Sequence, residues 1–326
     1  LIIDQAALTK IEQSFAETQR KMPENNRLQA LYIAGSVALP NETGFAVGDF
    51  YRNSNGSDFL LLPGPPSELK PMFVHQAQPL LEQTYFSQQK LASRVMRFFG
   101  IGESLLAAKL TDLIEQQTNP TLATYAKENE VTLRLTANAA SESAAQAKLD
   151  QLEKIIQQRV GEFCYGYGDD NSLPQVVVNL LKEKNLTVTA AESLTAGKFQ
   201  ATLADVPGVS EVFPGGFVTY SNHAKSQLLK IPAEKIQKAG AVSSLTAAAM
   251  AKQAQQILNT DIGISFTGVA GPDELEGQPA GTVWIGLALK DRPTQTKLFH
   301  FSKPRPYIRE RTVLSGLDWI RRELLK

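Results

Sequence analysis

Glutamate, serine and threonine stand together in Glu192-Ser193-Leu194-Thr195, where an apolar run meets a helix-forming stretch. The preceding residues 186–191 predict a short buried strand, because they are mostly apolar or β-branched. Residues 194–203 have helix-forming content, so Ser193 would lie at a strand-to-helix junction, where free backbone N–H groups are concentrated. Two interpretations follow: Ser193 caps the helix, or its hydroxyl is a nucleophile.

Lys225 is the candidate base for such a nucleophile. A Ser-His-Asp triad is disfavoured, because His223 is the only histidine near these residues, whereas a serine activated by a lysine follows the same chemical logic. Asn222 is a good helix N-cap residue, which would place Lys225 at the third helical position, near the positive end of the helix dipole. A cation is disfavoured there, so the pKa of Lys225 would be lowered. The alternative is that Lys225 is an ordinary solvated surface charge.

Three loops rich in small and polar residues follow predicted strands: Glu192–Gly197, Tyr220–Lys225 and Thr267–Pro272. Ligands of open α/β sheets bind at the carboxyl ends of strands, so these loops are predicted to form one site. The predicted substrate-binding residues are Glu192, Thr195, Gly197, Asn222, Thr267, Gly268, Ala270, Gly271 and Pro272.

The elements that must position these loops alternate between strand and helix over residues 172–326, which predicts a three-layer α/β domain. The predicted strands are 186–191, Gly216–Tyr220, Ile262–Thr267, Thr282–Leu289 and an edge strand at Lys297–Phe301. The predicted helices are 173–184, the stretch from Ser193 to about Ala204, Ser244–Leu258 and Tyr307–Leu325.

Two further domains are predicted upstream. Residues 1–90 have helical patterning at Ala6–Arg20 and Glu68–Thr84 around a strand at Phe59–Leu62, an α/β order. Residues 91–168 predict a small two-layer α+β module. It combines a helix at Ser104–Gln117, a strand at 131–136 and a helix with Leu149, Leu152, Ile155 and Ile156 on one face. The turn-rich stretch Gly166–Ser172 is interpreted as a linker.

The composition limits the class of protein. The chain has 326 residues, 43% hydrophobic and 20% charged, which suits a soluble globular protein of two or three domains. Lys+Arg and Asp+Glu both number 33, so the basic surface of a general nucleic-acid binder is not expected. The single cysteine, Cys164, excludes internal disulfides and fits a reducing compartment. No apolar run reaches the roughly twenty residues that span a bilayer. We expect a cytoplasmic protein whose beginning is missing, since the chain starts at Leu1 without a methionine.

Four stretches carry a resemblance that covers residues 173–326. They read TAAESLTAGKFQATLADVPGVSEVFPGGFVTYSNHAK, GAVSS, FTGVAGP and PAGTVWIGLA. In order and spacing they resemble the C-terminal domain of the CinA (competence/damage-inducible) family, the nicotinamide-nucleotide amidohydrolases or NMN deamidases. The resemblance implies hydrolysis of the carboxamide of nicotinamide mononucleotide to nicotinate mononucleotide and ammonia, without a cofactor.

The resemblance also implies roles for individual residues. The catalytic Ser/Lys dyad of the family falls on Ser193 and Lys225, and its active-site tyrosine position on Tyr220, while Thr195 and the loop Thr267–Pro272 line the pocket. Many members read Cys-Thr-Gly-Gly after the serine, whereas this chain has leucine and alanine at the first and third of these positions. His223 stands where an acidic residue is frequent, and Pro304 where a Gly-Asp pair often precedes Arg305.

The upstream regions resemble the rest of the family. Asn26, Gln29 and LLLPGPPSELKPMF resemble its molybdopterin-binding-like N-terminal domain, which hydrolyses ADP-ribose with a divalent metal when intact. The Gly-Gly-Leu-Gly-Pro-Thr-x-Asp-Asp loop of that domain would precede Leu1, and its Gly-Thr-Ala-Pro-Gly segment is altered at Gly44–Gly48. Residues 91–168 resemble a KH-type module that lacks the Gly-x-x-Gly clamp, so we interpret it as a spacer or dimerisation element.

Three functions therefore remain open from the sequence. They are deamidation of nicotinamide mononucleotide, ADP-ribose pyrophosphatase activity of the N-terminal domain, and non-catalytic nucleotide or partner binding linked to competence. The expected partners are a small nucleotide substrate and a second copy of the chain, with no membrane and no clear nucleic-acid site.

Overall fold

The computed structural model describes residues 1–85 and 89–326. The chain divides into two compact units, Leu1–Lys90 with Ala139–Glu142, and Leu91–Asn138 with Ser143–Lys326. The three-domain boundaries drawn from the sequence remain a prediction.

The first unit is a small α/β assembly. Its N-terminal helix is capped by Asp4, whose Oδ1 accepts a hydrogen bond from the Ala7 amide at 2.8 Å, and the helix buries Leu8 and Ile11. A two-stranded sheet has the order β1-β2, and a three-stranded sheet has the order β3-β4-β5. The elements are β1 Ile2–Ile3, α1 Gln5–Glu17, β2 Leu31–Tyr32, β3 Val37–Leu39, β4 Gly48–Tyr51, β5 Phe59–Leu61, α2 Pro66–Met72 and α3 Gln78–Tyr85, with a 3₁₀ helix at Glu24–Ala30 and a π-helical turn at Phe73–Ala77. The two predicted helices of this region are confirmed.

A four-stranded sheet of order β7-β8-β6-β9 follows along the chain. Its elements are β6 Lys90–Phe98, α4 Glu103–Lys109, α5 Thr111–Glu115, β7 Thr121–Lys127, β8 Glu130–Ala139, α6 Glu142–Val160 and β9 Cys164–Tyr167.

Three predictions for this region are corrected. The single helix at Ser104–Gln117 is divided at Leu110, which has φ −119° and is fully buried. The buried face of α6 is formed by Ala145, Leu149, Ile156 and Val160, while Ile155 is 38% exposed. The first residues of the predicted linker, Gly166 and Tyr167, belong to β9, because they pair with Arg97 and Met96 of β6.

The remaining elements form a five-stranded sheet of order β11-β10-β12-β13-β14 with helices on both faces. The elements are α7 Leu173–Glu183, β10 Val188–Glu192, α8 Lys198–Ala204, β11 Phe217–Val218, α9 Asn222–Leu229, α10 Ala233–Ala239, α11 Ser244–Leu258, β12 Ile262–Gly268, β13 Thr282–Leu289, β14 Gln295–His300 and α12 Arg305–Leu324, with a 3₁₀ helix at Val209–Glu211. Strand β10 is parallel to β11 and β12, whereas β13 is antiparallel to both β12 and β14.

Two apolar cores cover the two faces of this sheet. Val177 of α7, Phe199 of α8 and Leu317 of α12 belong to one core. Leu229 of α9 and Met250 of α11 belong to the other. This is the predicted three-layer α/β domain, and the mixed α/β fold class is confirmed.

Helix α11 lies close to the sheet because glycines face it. A Cβ added to Gly263 would lie 2.3 Å from the Ala251 carbonyl oxygen, and one added to Gly286 would lie 2.4 Å from that of Ala247. Either contact would force the helix away from the strands. None of the helices in residues 1–85 and 89–326 is long and apolar enough to cross a membrane.

Candidate functional site

The three predicted loops meet at one edge of the five-stranded sheet. Glu192, the last residue of β10, pairs with Val218 of β11 and with Phe266 of β12. Because these strands are parallel, their carboxyl ends lie side by side and the loops that follow them start from the same edge.

Ser193 lies in a turn and does not cap a helix. Its amide donates to the Phe266 carbonyl at 2.9 Å, and α8 begins only at Lys198, after the turn 194–197. Ala196 and Gly197 both have left-handed backbones, with φ of 48° and 88°. The helix-cap interpretation of Ser193 is therefore wrong, and its side chain is 3.5 Å from the Tyr220 carbonyl oxygen.

Glu192 supplies the helix cap instead. Its carboxylate accepts hydrogen bonds from the amides of Phe199 at 3.1 Å and Gln200 at 3.0 Å, and the side chain is fully buried. The first amides of α8 are thus satisfied within the protein. The carboxylate of Glu192, a predicted substrate-binding residue, is therefore engaged in capping α8.

Lys225 enters the site from α9. The N-cap of this helix is Ser221, whose Oγ accepts from the Ala224 amide at 3.1 Å, so the prediction of Asn222 as the cap is wrong by one residue. Asn222 is the exposed first helical residue, and Lys225 is the fourth.

The Lys225 amine is buried beside the serine. The residue is 1% exposed, and Nζ lies 3.2 Å from Ser193 Oγ, 3.1 Å from the Thr219 carbonyl oxygen and 3.4 Å from that of Tyr220. Burial lowers the pKa of Lys225 from 10.5 to about 8, and the negative charge of Glu276 opposes this change. The surface-charge alternative is therefore wrong.

Tyr220 contacts Lys225 through its backbone, while its side chain is 56% exposed. The phenol oxygen accepts a hydrogen bond from Nη2 of Arg305 at 2.9 Å, and Nη1 of the same guanidinium donates to the Gly271 carbonyl at 3.0 Å. Arg305 thus joins the loop after β11 to the loop after β12.

Thr267 and Gly268, the first two residues of the third predicted loop, lie at the end of β12. Thr267 Oγ1 donates to the Ala241 carbonyl at 2.7 Å and the residue is buried, so this hydroxyl has a structural partner. Gly271 has φ 81°. Of the predicted residues in this loop, Ala270 is buried, Gly268 and Gly271 are half-buried, and Pro272 is exposed.

Thr195 differs from Thr267. The residue is fully buried, and its Oγ1 has no hydrogen-bond partner among the residues described. Its carbonyl accepts from Arg309 Nη2 at 2.7 Å, and the Leu194 carbonyl accepts from Arg309 Nε at 3.0 Å. A buried polar atom without a partner is rare in folded proteins, so this hydroxyl is a candidate for contact with a ligand. Gly197, which ends the same turn, is half-buried.

Arg305 and Arg309 were missed as site residues by the reasoning from sequence. Their spacing of four places both on one face of α12, a signal that a helical pattern could have supplied. Residues 1–85 and 89–326 hold no group of three or more His, Cys, Asp or Glu side chains that could bind a metal ion. The polar groups at this edge include the hydroxyls of Ser193, Thr195 and Tyr220, the Lys225 amine, two guanidinium groups and backbone amides.

Comparison with known protein families identifies two domains of the chain. The profile of the CinA C-terminal domain matches residues 170–324, and that of the damage-inducible protein CinA KH domain matches residues 93–166. The five-stranded domain with the serine–lysine pair is thus a CinA C-terminal domain, preceded by a KH-type domain.

Full-length relatives extend this similarity over the whole chain. A protein described as competence-damage inducible from Levilactobacillus brevis is 60% identical over 326 residues, which are 100% of this chain and 78% of the relative. A protein of the same description from Lactiplantibacillus plantarum is 56% identical over 324 residues, covering 99% of this chain and 77% of the relative. A solved CinA superfamily structure from Klebsiella pneumoniae has 28% identity and a TM-score of 0.46, covering 47% of this chain and 96% of that one. The chain belongs to the CinA family of competence/damage-inducible proteins.

Proposed function

We propose that the protein deamidates nicotinamide mononucleotide to nicotinate mononucleotide and ammonia. The observation that carries this proposal is the buried Lys225 amine 3.2 Å from the Ser193 hydroxyl, with a pKa lowered to about 8. Membership of the CinA family and the motifs around both residues support the choice of substrate. A hydroxyl beside a base that is partly neutral near neutral pH is the arrangement that nucleophilic attack on an amide needs.

Both protonation states of Lys225 are satisfied where it lies. A neutral amine donates two hydrogen bonds, which match the Thr219 and Tyr220 carbonyls, and accepts one from the Ser193 hydroxyl. An ammonium donates to the same two carbonyls and to Ser193 Oγ. The proton can therefore move from serine to lysine without a change in the surrounding contacts.

The proposed reaction has two halves. Ser193 Oγ attacks the carboxamide carbon while Lys225 takes its proton, and the C–N bond then breaks as Lys225 returns that proton to the leaving nitrogen, which departs as ammonia. Water, deprotonated by Lys225, next attacks the resulting ester. Lys225 then returns that proton to Ser193 Oγ as the ester C–O bond breaks, which releases nicotinate mononucleotide and restores the serine and the neutral lysine. No external oxidant, reductant or phosphate donor is involved.

The negative oxygen that forms in each half requires donors. Within the described part of the chain the amides of Leu194 and Thr195 donate to no acceptor, unlike that of Ser193. In the proposal these two amides, next to the nucleophile, stabilise the oxyanion.

Ammonia release from nicotinamide mononucleotide tests the proposal. We expect the wild-type protein to release ammonia and the Ser193→Ala variant to release none, with both proteins folded. Ser210→Ala, which truncates an exposed serine of the 3₁₀ helix Val209–Glu211, is the matched control and should keep the wild-type rate. Ammonia release by Ser193→Ala at the wild-type rate would refute the nucleophile, and its absence from the wild type would refute the function.

The assembly of two copies, expected from the sequence, is proposed here as well. Size-exclusion chromatography with light scattering measures it directly, and a mass equal to that of one chain at assay concentration would contradict it.

A further inference from the structure

The Arg309 guanidinium donates two hydrogen bonds to the turn that carries the nucleophile. Nε donates to the Leu194 carbonyl at 3.0 Å and Nη2 to the Thr195 carbonyl at 2.7 Å. The side chain is half-buried. A planar guanidinium that donates to two successive carbonyls fixes the planes of two successive peptide groups.

The consequence concerns the Thr195 amide. The Leu194 carbonyl and the Thr195 N–H belong to one trans peptide, so they point in opposite directions. With the carbonyl held by Arg309, the N–H is directed away from the guanidinium. This amide donates to no acceptor in the described residues, although Thr195 is fully buried. Buried backbone amides are nearly always paired, so one that is fixed and unpaired two residues after a nucleophile is available to a reacting oxygen.

The second peptide supports the same arrangement. The Thr195 carbonyl, which accepts from Arg309, shares its peptide with the Ala196 N–H, and that N–H donates to the Ser193 carbonyl at 3.1 Å. Ala196 has a left-handed backbone, which is unfavourable for a residue with a Cβ. The two bonds from Arg309 therefore also hold a turn whose local conformation is costly by itself.

We propose that Arg309 is a positioning residue that orients the Thr195 amide as a donor to the oxyanion formed on attack by Ser193. This inference rests on the proposed function, because it assumes that an acyl group is transferred to Ser193. Arg309 acts through the turn and touches no reacting atom. Its contribution appears in the transition state, where the oxygen becomes charged, and not in the binding of the uncharged carboxamide.

The test compares Arg309→Gln and Arg309→Lys with Arg311→Gln. Loss of one oxyanion donor lowers kcat by roughly 100- to 1,000-fold in other acyl-transfer sites, so we expect about a 100-fold lower kcat for Arg309→Gln with KM unchanged. Arg309→Lys should fall between this variant and the wild type, because a lysine keeps the charge but lacks the planar guanidinium that holds both carbonyls in a fixed geometry. The acid limb of the pH profile should not move, since Lys225 keeps its surroundings.

Arg311→Gln is the matched control. Arg311 lies on the same helix, is also half-buried and donates to a backbone carbonyl, that of Asn129 at 2.8 Å, which is not part of the nucleophile turn. It should keep the wild-type kcat. Equal kcat values for Arg309→Gln and the wild type, or a loss confined to KM, would overturn the inference.

A second substrate separates this inference from the proposed function. Acylation of Ser193 by p-nitrophenyl acetate forms the same kind of oxyanion without a nucleotide. If the wild type does not deamidate nicotinamide mononucleotide, the function fails, and the p-nitrophenol burst then decides the inference. A burst slowed in Arg309→Gln but not in Arg311→Gln supports the role of Arg309, whereas equal bursts refute it. In that case the absence of any wild-type burst would refute the inference as well. If Arg309→Gln does not fold, as judged by circular dichroism, Arg309→Lys is compared with the wild type by the same criteria.

Discussion

The rate of deamidation should rise with pH because a single group, the Lys225 amine, loses its proton. With a pKa of about 8, about one Lys225 in ten is neutral at pH 7, whereas a lysine at its ordinary value of 10.5 would be neutral in about one molecule in 3,000. The fold therefore increases the population of the base about 300-fold at this pH. The helix dipole alone would not supply this change; burial is the main cause.

The assay is the single-turnover rate of nicotinamide mononucleotide deamidation from pH 6 to pH 10. We expect the rate to rise tenfold per pH unit below an apparent pKa of about 8 and to level off above it. Lys225→Arg should be inactive at every pH, because a guanidinium keeps its proton in this range. A rate that is independent of pH, or substantial activity of Lys225→Arg, would refute the assignment of Lys225 as the base.

Three further predictions concern the stability cost of the Lys225 amine, the charge of Glu276 and the turn at Ala196. The free energy of unfolding of Lys225→Met should exceed that of the wild type below about pH 8. The difference should narrow between pH 8 and pH 10.5, because in this window the unfolded wild-type chain binds the proton that the folded one has lost. Urea unfolding of both proteins across the window measures this, and a gap that widens with pH would contradict it. Glu276→Gln should move the acid limb of the rate profile to lower pH, because it removes a charge that raises the pKa of Lys225; a limb moved upward would exclude this role. Ala196→Gly should raise the free energy of unfolding by about 1 kcal/mol, since only glycine tolerates φ 48° without cost. Ala201→Gly is the control: it places a glycine inside α8, where glycine is unfavourable, and should lower the free energy of unfolding by about 1 kcal/mol. Destabilisation by both glycines would show that the turn is not strained.

The main elements of the last domain could be predicted because local pattern determines them. Helix α11 and strand β13 have the predicted bounds, Ser244–Leu258 and Thr282–Leu289, since α11 is rich in alanine and β13 is a continuous run of small, apolar and β-branched residues. The pairing of Ser193 with Lys225 could also be predicted, because parallel strands bring their following loops to one edge.

The wrong predictions arise from contacts between residues distant in the sequence, or from adjacent residues that suit the same position equally well. Arg309 reaches a carbonyl 115 residues away, a contact that no local pattern contains. Glu192 was mistaken for an open site residue because its carboxylate turns inward to cap α8, seven and eight residues further along the chain. Ser221 and Asn222 are adjacent and both good N-cap residues, so the start of α9 was wrong by one position.

Trapping of the acyl-enzyme tests the central claim, nucleophilic attack by Ser193 with Lys225 as its base, most directly. Hydroxylamine, added during turnover of nicotinamide mononucleotide, should intercept the ester on Ser193 and yield the nicotinate mononucleotide hydroxamate at the expense of the free acid. We expect this product from the wild type and from Arg311→Gln, and none from Ser193→Ala. Consumption of the substrate without any hydroxamate, at every hydroxylamine concentration tried, or hydroxamate formation by Ser193→Ala, would contradict the account.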